Sequence, residues 1–302
     1  MIGITVGALI IGSVALSGIA AAATPVYGAF YSGPSTHGDY DVDLSPLCAT
    51  AAATCASPPA VAVTLSPVKE HGSCQSLGTE NSFVFGKDFG GQGAAVPVRD
   101  GSFAVTHVFP GGIKIAVSGT FTSTSHVQGT ISGLRVCGSD TYSISLPITA
   151  MPCTLLAKAG TAAALSLGNQ VQPANGGDLY PSGGECSQHF GTNSKGDEVT
   201  FSVSSSFSNF EAMLGAPPTG TPVRGLGRGA VFEFSSRYGY QPTMTVIFHR
   251  SATWAYLQFE VLNEQDQYSC YAAKPCPYPA PGREVVEARL LGIAQQLYPS
   301  LV

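Results

Sequence analysis

Eight cysteines constrain this chain more than any other feature: Cys48, Cys55, Cys74, Cys137, Cys153, Cys186, Cys270 and Cys276. An even set spread along a chain with an export-like leader favours disulfides, which persist in oxidising compartments. Sequence leaves the connectivity open. Our preferred pairing joins Cys74 to Cys137 and Cys153 to Cys186, each within one proposed domain, and Cys270 to Cys276 across a Pro-rich loop. Cys48 and Cys55 are then left to each other. A continuous helix from Ser45 to Cys55 would hold those two about 10 Å apart, beyond disulfide reach, so the segment bends or this pairing fails.

The leader itself runs from Ile2 to Ala23 without a charge, and its apolar stretch ends in the small residues Ala20 to Ala23. This reads as an export signal, with Ala21 and Ala23 placing cleavage before Thr24. The run lacks a basic start and is long enough to span a bilayer as an uncleaved anchor, so residues 1–23 are a signal peptide or an N-terminal anchor. Membrane contact is expected only through that segment. No cysteine follows it, which argues against a lipid-modified N-terminus. Charged residues make up 11% of the chain and the formal net charge is -5, so no basic surface for nucleic acid is expected.

A length of 302 residues favours two modules, and 36 glycines with 21 prolines favour strands and turns over long surface helices. Residues 24–60 lack a sustained period and read as an Ala/Ser/Pro-rich spacer. Asp39, Asp41 and Asp43 alternate like the start of a calcium loop, but Leu44 stands where the turn needs Gly and Thr50 where a Glu is needed; a solvated acidic spacer is the preferred reading. Residues 61–150 read as an all-β antiparallel sandwich. Phe103, Val105, His107 and Phe109 alternate, Gly111-Gly112 turns the chain, and Ile113, Ile115 and Val117 return; further period-two runs follow through Val127 to Leu146. Residues 151–302 read as an α+β domain. A helix over Thr154–Leu167 opens it, strands follow around Val199–Val203, Phe232–Phe234, Met244–Phe248 and Leu257–Val261, and a terminal helix carries Val286, Leu290, Ile293, Ala294 and Leu297 on one stripe.

Pro152-Cys153-Thr154-Leu155-Leu156, Cys186, the run Pro222-Val223-x-Gly225-Leu226-Gly227-x-x-Ala230 and the terminal helix occur in an order that resembles a domain family of unknown function from secreted proteins and lipoproteins of the actinobacterial cell envelope. The resemblance covers residues 152–302 and implies a Cys153–Cys186 pair. The chain departs from the lipoprotein pattern in lacking a lipobox cysteine and in carrying the Cys270–Cys276 loop. Asp100-Gly101-Ser102-Phe103, Val117-Ser118-Gly119-Thr120-Phe121, Val127-x-Gly129-Thr130 and Cys137 resemble β-rich repeats of secreted bacterial proteins. Neither resemblance implies an activity, catalytic residues or a cofactor.

The chain contains no G-x-S-x-G, H-E-x-x-H or P-loop motif. Cys186 and His189 have metal-ligand spacing without a second pair, and an exported cysteine is usually oxidised, so no metal is assigned. Gly225, Gly227 and Gly229 precede a strand, which makes a turn the better reading than an anion loop. Arg224, Arg228, Arg237 and Arg250 either converge as a cationic rim or stand solvated. The binding candidates are Trp254, Tyr256, Tyr238, Tyr240 and Arg250. Trp254 and Tyr256 share a strand face with Gln258 and Glu260, which fits an aromatic platform for a sugar or protein and equally a face packed under a helix.

These features favour an exported, non-catalytic cell-envelope protein whose C-terminal domain binds an envelope glycan, a small ligand or a protein partner. The runner-up is a surface adhesin acting through the β-sandwich, and a secreted hydrolase comes third.

Overall fold

A computed structural model describes residues 23–50, 55–68, 83–88, 94–109, 111–134, 137–165, 167, 170, 174–176, 178–191, 197–214, 218–235, 243–260 and 283–302. Residues 1–22, and with them nearly all of the proposed signal peptide or anchor, lie outside the described residues, as do Cys74, Cys270, Cys276, Arg237, Tyr238 and Tyr240. Among the described residues no helix is long and apolar enough to cross a membrane.

The segment expected to be a spacer is folded. Residues Tyr31–Pro34 form strand β1 and Tyr40–Leu47 form β2, paired antiparallel with Tyr31 opposite Leu44. The acidic alternation concealed a half-buried strand: Tyr40, Val42 and Leu44 point into the core, while Asp41 and Asp43 take the other face. Strand β3 (Ala60–Pro67) continues the sheet, followed by β4 (Phe83–Phe85), β5 (Lys87–Asp88) and β6 (Ala94–Pro97). The order is β1-β2-β3-β6-β5, with β4 also pairing β3.

Next comes a four-stranded meander of β7 (Ser102–Val108), β8 (Lys114–Ser123), β9 (His126–Leu134) and β10 (Gly138–Ser145). The hairpin expected at Gly111-Gly112 is present, with Val105 opposite Val117. Inward residues of this sheet, including Ile115, Val117, Phe121, Val127, Ile131 and Ile144, share one cluster with Tyr31, Val42, Leu44, Val63 and Leu65 of the other sheet. Tyr31 meets Phe121 edge-on at 5.3 Å between ring centroids, and its hydroxyl donates to the Thr124 carbonyl at 2.6 Å. Burial pushes that phenol up to about 12.

The expected first helix is broken into α1 (Pro152–Lys158) and α2 (Thr161–Leu165), because Gly160 takes a left-handed φ of 63° between them. Strands β11 (Asn175–Gly176), β12 (Gly183–Phe190), β13 (Asp197–Ser204), β14 (Thr221–Pro222), β15 (Val231–Ser235), β16 (Thr243–Arg250) and β17 (Thr253–Glu260) form one antiparallel sheet. Its order is β11-β12-β13-β17-β16-β15-β14. Helix α3 (Phe207–Leu214) covers one face; α1 and the terminal helix α4 (Arg283–Leu297) cover the other. The predicted α4 stripe is the buried one: Val286, Leu290, Ile293, Ala294 and Leu297 are all inaccessible to solvent.

Two seams join the halves. Phe30 donates its amide to the Leu179 carbonyl at 2.7 Å, and Ala29 bridges Leu179 in parallel. At the second seam Thr149 donates to Ser300 at 3.1 Å and Val302 to Pro147 at 3.1 Å, with Ile148 bridging Leu301.

Cys48 pairs with Cys55 across the β2–β3 connection, with Cα atoms 5.8 Å apart, so that segment bends as its pairing requires. Cys153 of α1 pairs with Cys186 of β12. Cys137 is also disulfide-bonded, and no described cysteine is free. These bonds fit an oxidising, extracytoplasmic environment. Gly176 is required beside Cys153, since a Cβ there would stand 2.7 Å from Sγ. Replacing both Cys153 and Cys186 by Ala should lower the unfolding free energy by about 3–4 kcal/mol, measured by urea denaturation at neutral pH.

Candidate binding site

The aromatic face of β17 is occupied by the protein itself. Trp254 and Tyr256 project toward α3, where Phe207 and Phe210 lie 4.7 and 5.6 Å from the indole and Phe210 lies 6.0 Å from Tyr256, centroid to centroid. His249 stacks on the indole at 4.4 Å. Three rings therefore crowd the only tryptophan, which is half-buried beneath the 42% exposed Phe207. Tyr256 donates its hydroxyl to Glu185 at 3.1 Å; burial and then the Glu185 charge push its phenol well up. Of the two readings open in the sequence, an aromatic platform or a face packed under a helix, the α3 contacts describe the second.

Arg250 is committed as well. Its Nη1 donates to the carbonyls of Pro299 and Leu301 at 2.8 and 3.1 Å, and its guanidinium lies 5.9 Å from the Tyr298 ring centroid. It fastens β16 to the segment after α4. Arg224 and Arg228 are exposed on the glycine loop, whose Arg228 carbonyl accepts from His249 Nε2. Cys186 is consumed by its disulfide, so the Cys186–His189 spacing supplies no thiolate to a metal. His189, Glu198 and Glu260 stand in register on β12, β13 and β17, with His189 Nε2 4.0 Å from Glu198 Oε2. Burial, then the neighbouring Glu198, raises the Glu260 carboxyl.

A groove of about 590 Å³ runs over the outer face of the four-stranded sheet. Strand β8 supplies Ser118 and Thr120, β9 Gln128 and Thr130, and β10 Thr141 and Ser143; Ser102 and Thr36 complete the walls. Two cross-strand rows build it. Ser102, Thr120, Gln128 and Ser143 stand opposite one another in one row, and Ser118, Thr130 and Thr141 in the next. Neighbouring strands lie about 4.8 Å apart, so the hydroxyls repeat at about that spacing across the sheet. Between the rows lies the backbone of Phe103, Gly119, Gly129 and Tyr142, whose two rings are buried inward.

Those glycines are required by the core side. A Cβ on Gly129 would overlap the Ser118 carbonyl and the Tyr142 hydroxyl, and one on Gly119 would meet Tyr142 and Phe103. Tyr142 lies across the gap and donates to the Ser118 carbonyl at 2.9 Å. Burial drives its phenol far up, so it remains a neutral donor.

At the Thr36 end the β1–β2 turn docks on β10. Thr36 donates its amide to the Thr141 carbonyl at 2.7 Å, and the two threonine hydroxyls meet at 2.7 Å. Next to them Asp140, its side chain fully buried, accepts the His37 amide at 3.2 and 3.3 Å, the Thr141 amide at 2.7 Å and His37 Nδ1 at 2.7 Å. Burial alone would raise this carboxyl; hydrogen bonds from Ser35, His37 and the Thr141 amide outweigh it and hold Asp140 below the usual carboxylate range. This pair was not legible in the sequence, because 103 residues separate its members. The hydroxyl wall had a faint signal, in that Ser118, Thr120, Gln128, Thr130, Thr141 and Ser143 all take the polar phase of the alternation.

No family model, curated protein or solved structure matches the chain. The reading of the groove therefore rests on its geometry. Hydroxyls and a carboxamide can exchange hydrogen bonds with a neutral polar ligand; none of the lining side chains is a carboxylate, amine, imidazole or thiol able to act as a base or nucleophile near neutral pH.

Gly129→Ala should destabilise the chain by about 1–3 kcal/mol through forced displacement of Tyr142, read from urea denaturation midpoints. A lowered native-state pKa places the Asp140 contribution above the unfolded carboxylate value, near 3.9, and removes it as pH falls through the lower folded value. Acid unfolding of the wild type should therefore steepen below about pH 4, and Asp140→Asn should flatten that limb of the stability curve.

Proposed function

We propose that this is an exported, disulfide-stapled binding protein of the cell envelope that performs no chemistry, and that its ligand lies in the groove over β8, β9 and β10. In this reading the first two sheets face one another as a sandwich module that begins at β1, and residues 151–302 form an α+β module of the envelope family that they resemble. The observation that carries it is the groove itself: about 590 Å³, walled by short neutral hydrogen-bonding side chains. That volume falls within the range of small-ligand sites. The Trp254 face loses first place because α3 lies on it. Binding thus moves from the C-terminal module to the sandwich, as in the adhesin alternative.

Ser118 projects its side chain outward while its carbonyl serves Tyr142, so Ser118→Arg should fill the groove without touching the core. Thermal shift of the full chain against linear neutral hexasaccharides of glucose, mannose, galactose and arabinose is the test. At least one should raise the wild-type Tm by a few degrees and leave Ser118→Arg unmoved. Stabilisation that survives Ser118→Arg would put the site elsewhere.

A further inference from the structure

The four-stranded sheet ends on the β7 side in an open edge. Bonds from the Phe121 amide to the Gly101 carbonyl and from the Phe109 amide to the Ile113 carbonyl, both 2.8 Å, set the alternation of the β7–β8 ladder. Odd-numbered residues of β7 therefore bond to β8, while Ser102, Ala104, Thr106 and Val108 turn their amides and carbonyls away from it. Ser102 is satisfied by Arg99, with which it exchanges backbone bonds of 2.8 and 2.9 Å. Ala104, Thr106 and Val108 are exposed, Val108 by 55%. Among the described residues their outward amides and carbonyls have no backbone partner.

Such edges are usually blunted by a charge, a proline, a bulge or brevity. Strand β7 has none of these devices: its seven residues include no Lys, Arg, Asp, Glu or Pro and keep an unbroken register with β8. The other edges among the described residues are blunted. The β1–β2 turn covers β10, β1 has four residues and ends in Gly33-Pro34, and β4, β5, β11 and β14 have only two or three residues each. One long unguarded edge in a chain that blunts the rest points to a partner strand.

An open ladder accepts any extended strand, so side chains choose the occupant. Those of β7 complement themselves. When two copies pair antiparallel about a two-fold axis at Thr106, that residue faces its own copy and each Val108 faces the Ala104 of the other chain. Two threonine hydroxyls then meet at the axis, a branched side chain lies beside a small one on either flank, and no like charges face each other. We propose that β7 is a self-association surface, through which two copies of this chain join their four-stranded sheets into one of eight strands. Both grooves open on the same face of that sheet, but the pairing needs neither groove and stands apart from the ligand reading.

Sedimentation equilibrium of the full chain from about 1 µM to 1 mM tests this, a range suited to the weak dimer that so small an interface gives. The average mass of the wild type should rise toward twice that of one chain. Thr106→Lys and Thr106→Glu each set like charges across the axis and should stay monomeric, with melting temperatures close to wild type because residue 106 is exposed and makes no ladder bond to β8. Thr106→Val, which stays neutral, should remain dimeric. An equimolar mixture of the Lys and Glu variants should recover the dimer, as only a residue that faces itself allows. A wild type that stays monomeric overturns the proposal and leaves the edge to an extended segment of another protein. Dimerisation that persists in both charged variants, or that their mixture fails to restore, also overturns it, since the contact then lies elsewhere or the axis is not at Thr106.

Discussion

Everything about the groove depends on one close approach in the core, where the Tyr142 ring crosses Gly129 to reach the Ser118 carbonyl. A side chain at Gly119 or Gly129 would push that ring away. With both positions bare, Tyr142 and Phe103 fill the space between the two sheets from within, and the outer surface over the same row is left as backbone between two lines of hydroxyls. Core packing and groove surface are thus two sides of one strand row. The buried phenol gains its hydrogen bond, as a group so enclosed must.

The hairpin of β1 and β2 ties this sheet to the rest of the chain. Its inner residues Tyr31, Tyr40, Val42 and Leu44 complete the core shared by the first two sheets, and its turn covers the free edge of β10 through Thr36, His37 and Asp140. Covering an edge strand removes a template for unwanted pairing. The segment just before β1 reaches Leu179, so the same stretch links the meander to the seven-stranded sheet. A region read as a spacer thereby becomes a structural junction.

Periodic signals longer than about six residues were legible in the sequence. The α4 stripe is buried as its spacing requires, and the β7–β8 hairpin turns where two glycines stand. The β-rich antiparallel character and the Cys48–Cys55 and Cys153–Cys186 bonds were also within reach. Illegible features were those set by distance along the chain or by competing patterns. Asp41 and Asp43 masked a strand because charge drew attention away from the alternation of Tyr40, Val42 and Leu44. The short helix Phe207–Leu214, which covers Trp254 and Tyr256, carries too few residues to show a sustained period. Asp140 and His37 meet only through tertiary structure.

Two surfaces with different chemistry now compete as the business end of the molecule: neutral hydroxyls on the meander, and the aromatic and acidic face of the seven-stranded sheet. Photo-crosslinking separates them directly. A neutral hexasaccharide carrying a diazirine at its reducing end, irradiated with the full chain and followed by peptide mapping, should label peptides within residues 102–145 and Thr36–His37. Labelling confined to residues 183–260 would contradict the account and return the binding site to the C-terminal sheet.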